Sequence, residues 1–277
     1  MGLSSGRAEN KKISVETIKA MKKNGKPIAS LTAYDYLMAK ILDGCGIDLI
    51  LIGDSAGNVI AGYDTTIPVT MDEMLYHTRA VSRGVTNALV IIDMPFLSYQ
   101  CGVDDAVRNA GLFLKSGAEG VKLEGGRQVA DIVERMVGFG IPVMGHLGLT
   151  PQSINVFGDY KVRGKMNEER KRILKDAKIL EEAGVFSIVL EKIPEALAKE
   201  ISESISIPTI GIGAGLYCDG QILVTHDMIG LNEDFNPKFV RRYAKVAEEM
   251  RKAFNGYIKD VKNNTFPSKD ESYLSSR

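Results

Sequence analysis

Eight short apolar runs recur along the chain, at residues 28–31, 49–52, 88–92, 120–123, 142–145, 186–190, 209–212 and 221–224. Most are separated by segments with helical periodicity. Consecutive apolar positions mark strands buried on both faces, the condition of parallel strands joined by crossover helices. Alternating strand and helix patterns of this kind imply an α/β architecture. Eight units in 277 residues match one closed (β/α)8 TIM barrel, which takes about 250 residues. A doubly wound open sheet is the alternative. Against it, the first strand–helix turn lacks the GxGxxG of a dinucleotide site.

Helix signals fill the intervals. Ser14 caps an amphipathic segment at residues 15–23, placed to cover the bottom of the barrel. Thr70 and Glu73 have capping-box spacing ahead of a helix over residues 71–83. Residues 56–69 and 147–164 read as long loops, which inside compact domains are often functional. The connection at residues 213–220 is too short for a full helix. Residues 237–254 form an additional amphipathic C-terminal helix, and residues 257–277 read as a flexible polar tail. The expected organisation is therefore one barrel domain over residues 1–256, including a disordered polar lead, followed by that tail.

The runs carry polar residues at their ends. LILIGDS ends in Asp54 and Ser55, VIIDMPF in Asp93, and VKLEGG carries Lys122 and Glu124. PVMGHLG offers His146 and SIVLEKIP offers Glu191. In a barrel, strand C-terminal ends face one pocket, so these scattered positions become neighbours. Asp54, Asp93 and Glu124 would converge from successive strands and repel one another unless a cation neutralises them. Oxygen-only ligands point to Mg²⁺. For each acid alone, a helix-capping role is the competing reading. Lys122 lies two residues before Glu124, so both side chains share one strand face. A lysine there suits a bound carboxylate or developing negative charge, and an ion pair with Glu124 is compatible with either. His146 reads as an acid, a base, a substrate donor or a satisfied buried histidine. Glu191 reads as a base or as a structural partner of a nearby cation. His77 reads as a surface residue of its helix.

Composition narrows the classes. Thirty-five basic and 35 acidic residues give a formal net charge of zero, so nothing favours nucleic acid or an anionic membrane. No run reaches the roughly 18 apolar residues of a membrane span, and the N-terminal lead lacks the apolar core of a signal peptide. Three separated cysteines read as free, buried or half-buried structural thiols of a cytoplasmic protein.

Six motifs in order then carry a resemblance. TAYD at residues 32–35, IGDSAGNV at 52–59, DMPFLSY at 93–99, VKLEGG at 121–126, GHLGLTPQ at 145–152, and GIGAG followed by CDGQILVTHD are similar to ketopantoate hydroxymethyltransferase. The resemblance spans residues 11–254. It implies a Mg²⁺-dependent (β/α)8 enzyme of pantothenate biosynthesis. Such an enzyme takes 3-methyl-2-oxobutanoate and 5,10-methylenetetrahydrofolate to 2-dehydropantoate (ketopantoate) and tetrahydrofolate. It further implies metal ligands at Asp54 and Asp93, with Glu124 beside the metal by way of a water. The 2-oxoacid would be held by Asp54, Ser55, Asp93 and Lys122, with His146 nearby, and Glu191 would be the proton acceptor. Members of the family form large homo-oligomers, commonly decamers. Ala56, Asn58 and Lys192 depart from the family pattern. Another Mg²⁺-dependent 2-oxoacid barrel enzyme, a carbon–carbon lyase or aldolase, is the alternative.

Overall fold

The computed structural model describes residues 12–273. The polar lead before residue 12 lies outside the described residues, as do the last four of the tail. The eight apolar runs form eight parallel strands, and β1 pairs with both β2 and β8 to close the barrel. The chain runs α1 (Val15–Lys23), β1 (Ile28–Thr32), α2 (Tyr36–Gly44), β2 (Leu49–Ile52), α3 (Ala56–Val59), α4 (Met71–Gly84) and β3 (Leu89–Asp93). It continues through α5 (Val103–Lys115), β4 (Gly120–Glu124), α6 (Ala130–Gly138), β5 (Val143–Gly148), α7 (Ile154–Phe157) and α8 (Asn167–Glu182). Then come β6 (Ser187–Glu191), α9 (Glu195–Ser204), β7 (Thr209–Ile212), β8 (Gly220–Leu223), α10 (Thr225–Met228) and α11 (Val246–Lys262). No helix stands between β7 and β8 among the described residues, as the short connection requires.

The period of two along each strand sorts the apolar residues into two cores. Leu49, Leu51, Leu89, Ile91, Met144 and Ile210 form one cluster inside the barrel. Their alternates Ile50, Ile52, Val90, Ile92, Ile188 and Leu190 join the larger cluster beneath the surrounding helices. Helix α1 contributes Ile18, fully buried, to the inner cluster beside Ile28 and Leu49 at the strands' N-terminal ends. It thus covers the barrel bottom. Ser14 caps it by accepting from the Thr17 amide at 3.2 Å. Lys22 ties it down through the Ser202 and Ile207 carbonyls at 2.8 and 3.0 Å. The capping box of α4 is present at Thr70 and Glu73.

Several expectations change. Residues 56–69 begin with the one-turn helix α3 instead of being wholly irregular. Strand β5 runs three residues past 145, so His146 lies within it. His77 is half-buried on α4, its Nδ1 2.6 Å from the Tyr34 carbonyl. Cys45 and Cys101 are exposed, and Cys218 alone is half-buried. The C-terminal helix starts at Val246, nine residues later than its periodicity implies. Before it, the amides of Tyr243 and Val246 donate to the carbonyls of Met228 and Ile229, which takes them out of a helical ladder. Arg242 adds hydrogen bonds to the carbonyls of Asn232, Glu233 and Phe235. The helix then continues to Lys262, so a boundary at 256 falls inside it. The chain divides into two compact units, one ending at Val224 and carrying every barrel strand, the other beginning at Thr225 and carrying α10 and α11.

Ile18 tests the role of α1. Ile18→Ala removes a fully buried side chain, and a loss of about 2–5 kcal/mol in unfolding free energy by chemical denaturation is expected.

Candidate active site

Cross-strand register assembles the polar end of the barrel. Asp93 on β3 sits opposite Lys122 on β4, Glu124 on β4 opposite His146 on β5, and Gly148 on β5 opposite Glu191 on β6. These side chains face inward, since Asp93, His146 and Glu191 lie two residues past Ile91, Met144 and Val189 of the inner cluster, and Lys122 and Glu124 alternate with Val121 and Leu123 of the outer one. Asp54 follows β2 directly, and its amide donates to Asp93 Oδ2 at 3.1 Å. The structure therefore brings Asp54, Asp93, Lys122, Glu124, His146 and Glu191 together. All but Glu191 are nearly inaccessible, at 3–6% exposure.

Contacts run as a chain around this mouth. Lys122 Nζ lies 2.8 Å from Asp93 Oδ1 and 3.1 Å from His146 Nδ1. Glu124 Oε1 is 3.3 Å from the same imidazole nitrogen, and His146 Nε2 is 3.3 Å from Glu191 Oε2. Nδ1 can accept from Lys122 or, when protonated, donate to Glu124, but not both at once. Ser55 stands beside the acids, its hydroxyl 2.8 Å from the buried Tyr34 hydroxyl. A Cβ at Gly53 would come within 2.5 Å of Ser55 Oγ, so a larger residue there would displace the Ser55 hydroxyl. Glu191 is held from behind. Its carbonyl accepts from the Leu149 amide at 2.8 Å, and a Cβ on Gly148 would lie 2.2 Å from that carbonyl oxygen. Gly148 has φ 96° and Lys192, next after Glu191, has φ 45°. A left-handed lysine directly after a candidate base is the kind of strain that clusters at functional sites.

Three residues were not singled out from sequence. Tyr34 orients Ser55. Gln152 donates through Nε2 to Asp54 Oδ2 at 2.9 Å, and its amide nitrogen donates to Glu124 Oε2 at 3.0 Å. The Tyr99 hydroxyl donates to Gln152 Oε1 at 2.9 Å. All three lie inside the TAYD, DMPFLSY and GHLGLTPQ motifs. Their positions off the strand ends hid them from an argument built on strand exits.

The electrostatics are unbalanced. Burial, reinforced by Asp93 and Glu124, pushes the Asp54 carboxyl up to about 8, with Lys122 and the Gln152 hydrogen bond only partly opposing. Burial works against the Lys122 charge, but Asp93, Glu124 and Asp54 outweigh it and hold the ammonium above its ordinary range. Burial and Lys122 press the His146 imidazolium down, while Glu124 and Glu191 more than compensate, so the net direction is upward. One lysine thus answers three buried carboxylates.

A divalent cation fits that deficit. Among the described residues no group of three or more His, Cys, Asp or Glu side chains encloses a metal by itself. Lys122 and the Gln152 amide stand among the acids, and Glu124 is already engaged by His146 and the Gln152 backbone. Mg²⁺ commonly takes only one or two protein carboxylates and completes its shell with water or substrate oxygens. Asp93 Oδ1 keeps a lone pair beside its contact with Lys122, and His146 Nε2 is buried without a well-formed hydrogen bond, so each can take a ligand.

The chain matches ketopantoate hydroxymethyltransferase over residues 12–269. It belongs to the ketopantoate hydroxymethyltransferase family. A relative from Syntrophus aciditrophicus (strain SB), 3-methyl-2-oxobutanoate hydroxymethyltransferase, is 56% identical over 98% of this chain and 100% of its own length. One of the same name from Chlorobaculum parvum (strain DSM 263 / NCIMB 8327) is 58% identical over 91% of this chain and 93% of its own. Among solved structures, a phosphonopyruvate hydrolase complex with oxalate and Mg²⁺ has a TM-score of 0.63 at 14% identity, covering 94% of this chain and 93% of that one. A 2,3-dimethylmalate lyase of the PEP mutase/isocitrate lyase superfamily has a TM-score of 0.59 at 14% identity, covering 94% and 91%. At such identity these two likenesses show the barrel fold alone.

The raised Asp54 carboxyl predicts a pH signature of the metal-free family member. Asp54 is ionised in the unfolded chain above its ordinary value of 3.8 but stays protonated in the fold up to about 8. The folded state therefore binds the extra proton, and stability falls as pH rises through that window. Thermal melts in chelator at pH 4 to 8 should show a smaller decline for Asp54→Asn than for the unmodified chain.

Proposed function

We propose that this chain transfers a hydroxymethyl group from 5,10-methylenetetrahydrofolate to 3-methyl-2-oxobutanoate, forming 2-dehydropantoate for pantothenate biosynthesis with the aid of Mg²⁺. The observation that carries this reading is the inward set Asp54, Asp93, Lys122, Glu124, His146 and Glu191 at one barrel mouth, in a member of this family. Asp54 and Asp93 would hold the metal, with Glu124 beside it through a water. When bound, Mg²⁺ would supply a Lewis acid for the carboxylate and keto oxygens of the oxoacid, acidifying the carbon next to the ketone.

The protein groups divide the remaining work. Lys122, cationic in its buried setting, balances negative charge on the substrate. Ser55, held by Tyr34, and His146 through Nε2 offer hydrogen bonds to the oxoacid. Glu191 is the most accessible acid of the set, with its side chain 16% exposed. It accepts the proton from C3, and that carbon bonds to the methylene carbon of the folate as both of that carbon's bonds to folate nitrogen break; water supplies the hydroxyl oxygen, and the C3 proton and the second proton of the water end on the two nitrogens of tetrahydrofolate. The folate lies over the oxoacid, in the mouth formed by the strand-end loops.

The reading extends to assembly and location. Met250, Phe254, Tyr257, Ile258 and Val261 on α11 are all exposed, and their spacing lines one helical stripe. An exposed apolar stripe of this length supports burial against further copies of the chain, in a homo-oligomer and by family resemblance a decamer. The exposed thiols of Cys45 and Cys101 suit a reducing cytoplasm. No helix among the described residues is long and apolar enough to cross a membrane. A carbon–carbon lyase or aldolase is disfavoured by the near full-length relatives, which are named hydroxymethyltransferases at 56% and 58% identity.

Turnover of 3-methyl-2-oxobutanoate with methylenetetrahydrofolate, with and without Mg²⁺, tests the activity, and product formation without folate would overturn it. Glu191→Gln should lower turnover about 10²- to 10⁴-fold and stop deuterium exchange at C3, whereas unchanged exchange removes Glu191 as the base. Light scattering should give a mass near ten times that of one chain. Phe254→Glu with Tyr257→Glu should reduce it.

A further inference from the structure

We propose that Gln152 is a positioning residue that holds the acidic wall of the site in its metal-binding arrangement, with Tyr99 setting the orientation of its amide. The inference rests on the Mg²⁺ reading above and assigns the site a support that the strand ends alone do not provide.

Gln152 lies in a tight 3-10 turn, Pro151–Ser153, just beyond β5. It is 6% exposed. Its side-chain nitrogen is 2.9 Å from Asp54 Oδ2 and 2.9 Å from the Met94 carbonyl. Its side-chain oxygen is 2.9 Å from the Tyr99 hydroxyl and 3.3 Å from Gln100 Nε2. A primary amide has two N–H donors and an oxygen with two lone pairs, so every hydrogen-bonding position of this buried group is used. Its orientation is also determined. The Met94 carbonyl can only accept, so nitrogen must face it and Asp54, leaving oxygen for the Tyr99 hydroxyl. Burial and the Glu124 carboxylate hold the Tyr99 phenol above its ordinary range, which keeps it a donor.

The same residue reaches a second acid through its backbone, whose N–H donates to Glu124 Oε2 at 3.0 Å. Tyr99 closes the loop, with its hydroxyl 3.2 Å from the Glu124 amide nitrogen. One side chain and one amide from the loop after β5 therefore brace the ends of β2, β3 and β4. The brace is neutral. It restricts the Asp54 carboxylate without adding a cation that would compete with a metal, as a second lysine would. Outer hydrogen-bond partners of ligating carboxylates act in this way, orienting the ligand before the metal arrives.

The test uses the full chain, Mg²⁺ alone as the probe, titration calorimetry for affinity and thermal melting for fold. Gln152→Leu keeps the volume and the backbone N–H to Glu124 while removing the amide. It should weaken Mg²⁺ binding about 10- to 100-fold, and its turnover should recover in part as Mg²⁺ is raised to saturation. A purely structural glutamine predicts a lower melting temperature, with Mg²⁺ affinity and the metal dependence of turnover unchanged. Tyr99→Phe should shift affinity in the same direction by a smaller factor. If Gln152→Leu fails to fold, Gln152→Asn and Tyr99→Phe decide by the same criterion. The shorter asparagine cannot span Asp54 and Tyr99 together, so it too should bind more weakly. Folded variants with the affinity of the unmodified chain overturn the brace while leaving the metal reading intact. Failure of the unmodified chain to bind Mg²⁺ overturns the metal reading itself and the brace with it.

Discussion

Three carboxylates and a lysine buried at one end of a barrel are expensive to remove from water, and the structure depends on how that cost is met. An isolated buried charge changes its protonation state or finds a partner. Lys122 partners Asp93 directly and remains cationic. Glu124 is satisfied by His146 and the Gln152 backbone. Asp54 is the residue left over, with an amide on one oxygen and a carboxyl driven far above its ordinary range. That imbalance is the reason a cation is proposed here.

The barrel supplies the geometry through strand register. Residues on successive strands become neighbours because parallel pairing sets Asp93 against Lys122, Glu124 against His146 and Gly148 against Glu191. Below them, the inner apolar cluster and α1 close the opposite end, so the polar groups open toward one mouth. At Glu191 the backbone departs from ordinary strand geometry. Gly148 in a left-handed conformation permits close approach to the Glu191 carbonyl, and Lys192 also takes positive φ. Lys192 turns the chain immediately after the acid, which remains more accessible than its neighbours.

The same barrel serves other chemistry. Phosphonopyruvate hydrolase and 2,3-dimethylmalate lyase share its topology at 14% identity, which says nothing of which bonds this chain breaks. Function is carried by the residues placed on the scaffold. Here those residues sit in motifs whose near full-length relatives are named hydroxymethyltransferases.

Much of this was legible before any coordinates. Consecutive apolar runs announced buried parallel strands, their number announced the barrel, and Asp54, Asp93, Lys122, Glu124, His146 and Glu191 stood out because polar residues at the ends of such strands have few places to go. Their motifs carried the family. The start of α11 was misplaced because amphipathic periodicity across residues 237–245 cannot reveal that the Tyr243 and Val246 amides are taken by carbonyls of the preceding segment. The exposure of Cys45 and Cys101 was equally invisible, since residue type alone does not say which helix face a neighbour covers. Gln152, Tyr99 and Tyr34 are the same case within the site. Local pattern determines whether a residue leaves a strand, and therefore which groups can reach the mouth. Hydrogen bonds between loops far apart in sequence determine how those groups are held, and only the closed barrel brings Gln152 within 2.9 Å of Asp54.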